Sequence, residues 1–105
     1  MTRMARGEIW LLELDPTVGR EIRPCVIVSP LEMHDYLRTL IVAPMTTGSK
    51  PAPFRIAVTH AGKQGLILLD QLRVVDKVRL VTKVGAANPN ALTAVLNALR
   101  EQFSQ

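Results

Sequence analysis

Two short clusters in this chain carry side chains that can act on a phosphate: Arg23 before Pro24, and Thr46-Thr47 before Gly48. Pro24 restricts the backbone of Arg23 to extended conformations, so its guanidinium projects from a strand. A guanidinium can bind two phosphate oxygens at once, and a hydroxyl beside it can orient the same group. Such a pair can stabilise the charge that builds on a phosphate under attack by a neighbouring ribose 2′-OH. Both clusters also have plain structural readings. An arginine before proline is often a solvated strand end, and Thr-Thr-Gly is often a turn.

Other reactive residue types have weaker settings. His34 and His60 are isolated from each other and lack the close-spaced partners of a zinc site, so both read as exposed loop residues. Glu32 and Asp35 flank His34, as any polar loop would supply. Cys25 lies in an apolar run and reads as a small buried hydrophobe. The chain has no glycine-rich phosphate loop and no nucleophile elbow.

The elements that must position these residues read as short strands. Glu8 to Leu14 is an apolar run with Trp10 in it, bounded by Gly7 and Asp15-Pro16. Asp15 to Glu21 is a loop. Cys25 to Val28 is a second strand, apolar on both faces, which therefore needs cover on both. Leu31 to Arg38 has room for one turn of helix. Thr39 to Met45 is a third strand ended by Thr46-Thr47-Gly48, and residues 48–53 form a proline-rich loop. Phe54 to Thr59 alternates as a half-buried strand, and residues 61–65 turn. Leu66 to Leu69 continues as an extended run to Val75. Asp76 to Arg79 suits a short helical turn, and Leu80 to Val84 a last strand. Asn88 and Pro89 can cap and start a helix whose apolar face is Leu92, Val95, Leu96, Leu99 and Phe103. The fold class is mainly β: short strands curled into a small barrel, with one C-terminal helix. If the second and third strands are neighbours, Arg23 and Thr46 reach the same end of it.

Bulk properties bound the function. The chain has 105 residues, a single domain's length, and 48% apolar residues. No apolar run approaches the roughly 18 residues that span a bilayer, and no signal peptide or membrane partner is expected. One cysteine suits a reducing cytoplasm. Thirteen basic residues against nine acidic give a formal charge of +4, a mild lean toward a polyanion. Four aromatic residues exclude a broad base-stacking platform.

Read together, these segments resemble the MazF/PemK toxins. Gly7-Glu8-Ile9-Trp10 with Asp15-Pro16-Thr17-Val18-Gly19 resembles their opening. Arg23 to Pro30 is similar to their second strand, and Val42-Ala43-Pro44-Met45-Thr46-Thr47 to their third. Asp70-Gln71-Leu72-Arg73, then Asp76-Lys77 and Arg79-Leu80, is similar to their later signature. The resemblance implies an SH3-like barrel shared with gyrase poisons. It implies a homodimer that cuts single-stranded mRNA without metal or cofactor, leaving 2′,3′-cyclic phosphate and 5′-OH ends. It further implies a MazE-like antitoxin whose tail crosses the RNA groove. The catalytic arginine falls on Arg23 and the catalytic threonine on Thr46. Glu21, Thr47, Gln71, Arg20 and Lys50 fall where substrate contacts are expected.

One departure stands out. Relatives usually carry a longer stretch between the positions matching Glu21 and Arg23, whereas here only Ile22 separates them. A catalytically silent barrel that still binds RNA or antitoxin is therefore the alternative reading. A gyrase poison fits less well, because those cousins act through a helix end reading Trp-Gly-Ile and this chain reads Gln102-Phe103-Ser104-Gln105. The dimer has a physical argument of its own: a strand apolar on both faces asks for more cover than one small barrel provides. A symmetric pair would gather Arg20, Arg23, Lys50 and Arg73 around one groove.

Overall fold

The computed structural model describes residues 4–14, 21–48 and 50–104. Seven strands, one short helix and one long helix follow in order: β1 (Glu8–Glu13), β2 (Ile22–Ile27), α1 (Leu31–Tyr36), β3 (Thr39–Thr47), β4 (Arg55–His60), β5 (Lys63–Leu68), β6 (Arg73–Asp76), β7 (Leu80–Ala86) and α2 (Pro89–Gln102). They form one curled antiparallel sheet in the order β4-β5-β3-β2-β1-β7, with β6 also paired to β3. The mainly β expectation with a C-terminal helix holds.

Period-two alternation makes this single sheet serve two cores. On one face Ile9, Val26, Ala43, Met45 and Ile67 pack with Ala91 and Val95 of α2. On the other, Trp10, Leu12, Cys25, Ile27, Leu40, Val42 and Leu80 fill the inside of the curl. The doubly apolar β2 is thus covered on both faces by its own chain. That corrects the expectation that β2 needs a second subunit: α2 supplies one cover and the curl of β1, β3 and β7 the other.

The strand β3 organises the rest. It pairs with β2 over Cys25↔Pro44, Val26↔Ala43 and Ile27↔Val42. Its other edge takes β6 along Thr39–Val42 and β5 along Met45–Thr47. The run expected as continuous from Leu66 to Val75 is therefore one interrupted partner of β3. It leaves the ladder as a 3-10 turn at Leu69–Gln71, opposite Ala43 and Pro44, where Pro44 has no N–H to donate. β3 itself runs two residues past the expected stop. Thr46 pairs with Leu66 and Thr47 with Gly65, so these threonines are strand residues rather than a turn.

Three local corrections follow from packing. β2 begins at Ile22, because β1 pairs with it as far as Glu13↔Ile22, so Arg23 lies inside a strand. His34 is buried, not an exposed loop residue: its Nε2 lies 2.6 Å from Ser29 Oγ, and its Nδ1 bonds the Met4 carbonyl. Ser29 Oγ also accepts from Ile41 N–H at 2.9 Å, so the triad ties α1 and residue 4 to β3. Phe103 is 72% exposed, since α2 ends at Gln102 and its buried face runs through Ala91 and Val95, with Ala98 and Leu99 packed against the core. The cap itself is as expected: Asn88 Oδ1 accepts from Ala91 N–H at 2.8 Å, with Pro89 in the first turn.

Glu8 anchors the start of β1. Its Oε1 accepts from Ala5 N–H and Trp10 Nε1, each at 3.0 Å, and Oε2 pairs with Lys83 Nζ of β7 at 3.0 Å. Burial alone would raise its pKa, but these partners outweigh it and hold the carboxyl below its ordinary 4.5. A carboxylate with a depressed folded pKa contributes stability that is complete above its unfolded value and lost as pH falls through the folded one. Glu8→Gln is expected to lower stability by about 1 kcal/mol at neutral pH. The gap from wild type should close below pH 4.5. Thermal melts of both proteins across that range check this, and a gap that widens in acid would refute it.

Candidate active site

The β2–β3 ladder stops at Cys25↔Pro44. Beyond that pair β3 turns to β5 while β2 stays with β1, and the sheet parts. Carrying the same antiparallel register two residues further sets Arg23 opposite Thr46, and both side chains line the opening. One groove there, of about 400 Å³, is lined by Arg23, Pro24, Pro44, Thr46, Gln71 and Arg73, among others. A second cavity of about 360 Å³ adjoins it across Arg23 and Thr46, and also takes in Thr47, His60, Lys63 and Gln64.

The short spacing before Arg23 has a direct consequence. Residues two apart on extended chain share a face, so Glu21 reaches its neighbour: Arg23 Nε donates to Glu21 Oε1 at 2.7 Å. Both side chains are more than half exposed, so the pair orients the arginine and adds little stability. Among the described residues the two Nη nitrogens of Arg23 carry no partner and are available to a phosphate. Among the described residues Thr46 Oγ1 makes one long bond, 3.4 Å, to the Thr47 carbonyl.

Gln71 is carried by the 3-10 turn that interrupts the β5–β6 run. Arg55 fixes that turn through two parallel bonds to Asp70, Nε to Oδ1 at 3.1 Å and Nη2 to Oδ2 at 2.9 Å. The Arg55 guanidinium holds the Asp70 carboxyl below its usual range. Close backbone packing fixes Thr46 in turn. Gly65 stands so near β3 that a Cβ there would lie 2.8 Å from the Thr46 carbonyl oxygen.

Of the residues expected at the site, Arg23, Thr46, Thr47 and Gln71 line these two cavities, and Glu21 is joined to them through Arg23. Lys50 is exposed and lines neither cavity. Arg20 lies outside the described residues. His60, read from sequence as an exposed loop residue, instead ends β4 half-buried and lines the second cavity with Lys63. Neither had a sequence signal, because only the β4–β5 register brings them to Thr46. Among the described residues no three His, Cys, Asp or Glu side chains are grouped to hold a metal ion. No described helix is long and apolar enough to cross a membrane.

The chain is thus a curled β half-barrel whose split end presents an arginine and a threonine. A family model described as PemK-like, MazF-like toxin of type II toxin-antitoxin system matches residues 5–103. The endoribonuclease PemK of Escherichia coli is 38% identical over 81 residues, covering 70% of this chain and 61% of that protein's length. The endoribonuclease MazF of Staphylococcus epidermidis is 34% identical over 103 residues, covering 90% and 86%. A mycobacterial endoribonuclease solved in complex with its cognate antitoxin has the same fold, with a TM-score of 0.82 at 19% identity over 97% of this chain and 98% of that one. The chain belongs to the PemK/MazF family of type II toxins.

Cys25, beside the site, takes no part in such chemistry. Burial pushes its thiol up to about 12, so at neutral pH it is protonated and inert. A thiol reagent is expected to leave the native protein unlabelled and to modify one cysteine per chain in denaturant, read by absorbance. Rapid labelling of the native form would show the thiol to be accessible.

Proposed function

We propose that this chain is a toxin endoribonuclease, a single domain over residues 1–105, that cuts single-stranded mRNA without a metal ion. The observation that carries this reading is that Arg23 and Thr46 line one groove, just past the end of the β2–β3 ladder. Glu21 occupies Nε of Arg23 and leaves the two Nη nitrogens to take two oxygens of the scissile phosphate. The Thr46 hydroxyl orients the same phosphate or the attacking 2′-OH. The 2′-oxygen bonds to phosphorus as its proton departs, and the P–O5′ bond breaks as the 5′-oxygen gains a proton. The products are a 2′,3′-cyclic phosphate and a 5′-OH. Charge builds on the non-bridging oxygens during attack, where the guanidinium stabilises it more than it stabilises the resting diester. Gln71 and Thr47 contact the RNA on either side, and Arg20 and Lys50 add cationic attraction along its path.

A MazE-like antitoxin neutralises the toxin by laying an acidic segment over the same basic groove. A second copy of the chain completes the active assembly. Exposed Tyr36 at the end of α1 and Leu37 after it, with Val74 on β6 and Val78 just beyond it, support such a contact, since large apolar side chains at 47% to 88% exposure favour burial. The protein works in the cytoplasm, where its lone thiol stays reduced.

A cleavage assay in excess EDTA tests the reading, with a long single-stranded RNA as substrate. The wild type is expected to give discrete fragments. Arg23→Ala and Thr46→Ala should each lose roughly 100-fold or more in kcat. Gly65→Ala, which drives a methyl against the Thr46 carbonyl, should lose activity while staying folded. Intact RNA with every protein would leave a silent barrel that binds RNA or antitoxin.

A further inference from the structure

The second cavity points beyond the scissile phosphate. Its far wall is the tip of the β4–β5 hairpin, where His60 and Lys63 are directly opposed in the ladder. Opposed residues of an antiparallel pair share a face, and both side chains line the cavity that Arg23 and Thr46 line from the other side. The turn between them has two residues, Ala61 and Gly62, with φ of 52° and 76°. Two left-handed residues in a two-residue loop make the tight turn whose twist matches the strands it joins. The tip is therefore a rigid mount.

His60 is also seated from behind. A Cβ on Gly85 of β7 would lie 2.9 Å from His60 Cε1 and 3.0 Å from Nδ1. The ring thus occupies the space beside Gly85, and a side chain there would have to displace it. Lys63 is exposed and makes no ion pair among the described residues. A held planar ring and an unpaired ammonium, next to a phosphate-binding arginine, match the two parts of one nucleotide. Bases of single-stranded RNA stack on aromatic rings, histidine included, and lysine contacts phosphate as a point charge.

We infer that the β4–β5 tip is the binding subsite for the nucleotide flanking the cut, with His60 stacking on its base and Lys63 holding its phosphate. This rests on the ribonuclease reading and adds a source of cut-site preference to it. With few aromatic residues in the chain, a single seated ring selects at one position instead of along a platform.

The test is steady-state cleavage of a randomised single-stranded RNA pool in EDTA by the wild type, His60→Ala, His60→Phe, Lys63→Ala and Gly85→Ala. Cut sites are read by sequencing. His60→Ala is expected to lose roughly 5- to 150-fold in kcat/KM, the usual range for one stacked base, and to flatten the base preference at one position beside the cut. His60→Phe should restore most of the loss, because it keeps the stacking face. Gly85→Ala should act like His60→Ala by pushing the ring from its seat. Lys63→Ala should raise KM across all sequences and make binding less salt-dependent, by about 0.7 in the slope of log affinity against log salt. Wild type that leaves the RNA intact would overturn the ribonuclease reading itself. Wild type that cuts, with His60→Ala and Lys63→Ala matching it in KM, salt slope and cut sites, would overturn the subsite alone. Loss in His60→Ala without rescue by His60→Phe would overturn the stacking role.

Discussion

The parting of β2 from β3 at Cys25↔Pro44 is the constraint on which the rest of the structure depends. Up to that pair the two strands share a ladder, and their alternate residues fill two cores. Past it, β3 loses β2 from one edge and is held on its other edge alone, where it pairs with β5 through Thr47. Two prolines sit at the fork, Pro24 on β2 and Pro44 on β3. Neither has an N–H to give a ladder, so a sheet that divides there leaves fewer unpaired donors than it would elsewhere. The groove is the space that the division opens, and Arg23 and Thr46 are the residues just beyond it on each branch.

That arrangement separates what holds the fold from what the site uses. Ile9, Val26, Ile27, Leu40 and Val42 are buried to 0% exposure and lie on the closed side of the fork. The site residues lie on the open side, where Glu21, Arg23, Thr46, Thr47 and Gln71 are all exposed. Substitutions among them touch no core contact, which makes loss of activity at Arg23 or Thr46 interpretable as chemistry. Gly65 is the exception that joins the two regions. It is a core-edge glycine whose missing side chain sets the position of Thr46.

Much of this was legible in the residues. The strand runs, the capped helix and the shared end for Arg23 and Thr46 follow from period-two alternation, Asn88-Pro89 and the rule that consecutive strands tend to be neighbours. What was not legible depended on partners distant in sequence. Thr46 and Thr47 look like a turn until β5 supplies a ladder for them. His34 looks like a loop residue until Ser29 and the Met4 carbonyl accept it into the interior. His60 gains its setting only through a hairpin register and a glycine on a strand far along the chain. Alternation does read β2 correctly as apolar on both faces, but it cannot say that α2 and the curl of the same chain provide both covers. The family resemblance supplied expected roles for Arg23 and Thr46, which residue types alone read more readily as a strand end and a turn.

The shortened stretch before Arg23 bears on mechanism as much as on specificity. With Ile22 alone between them, Glu21 is on the face of Arg23 and bonded to its Nε. A carboxylate held there lowers the net positive charge offered to RNA, which weakens general attraction to the backbone. It also removes rotational freedom from the guanidinium, so that in the proposed mechanism less is lost when the Nη nitrogens close on two phosphate oxygens. The first effect opposes the charge that would build on the phosphate as well as the bound diester. The second acts most where the geometry is most demanding, at the crowded phosphorus under attack. In the proposed mechanism the compressed spacing therefore trades charge for orientation, and contacts away from the arginine are left to hold the RNA.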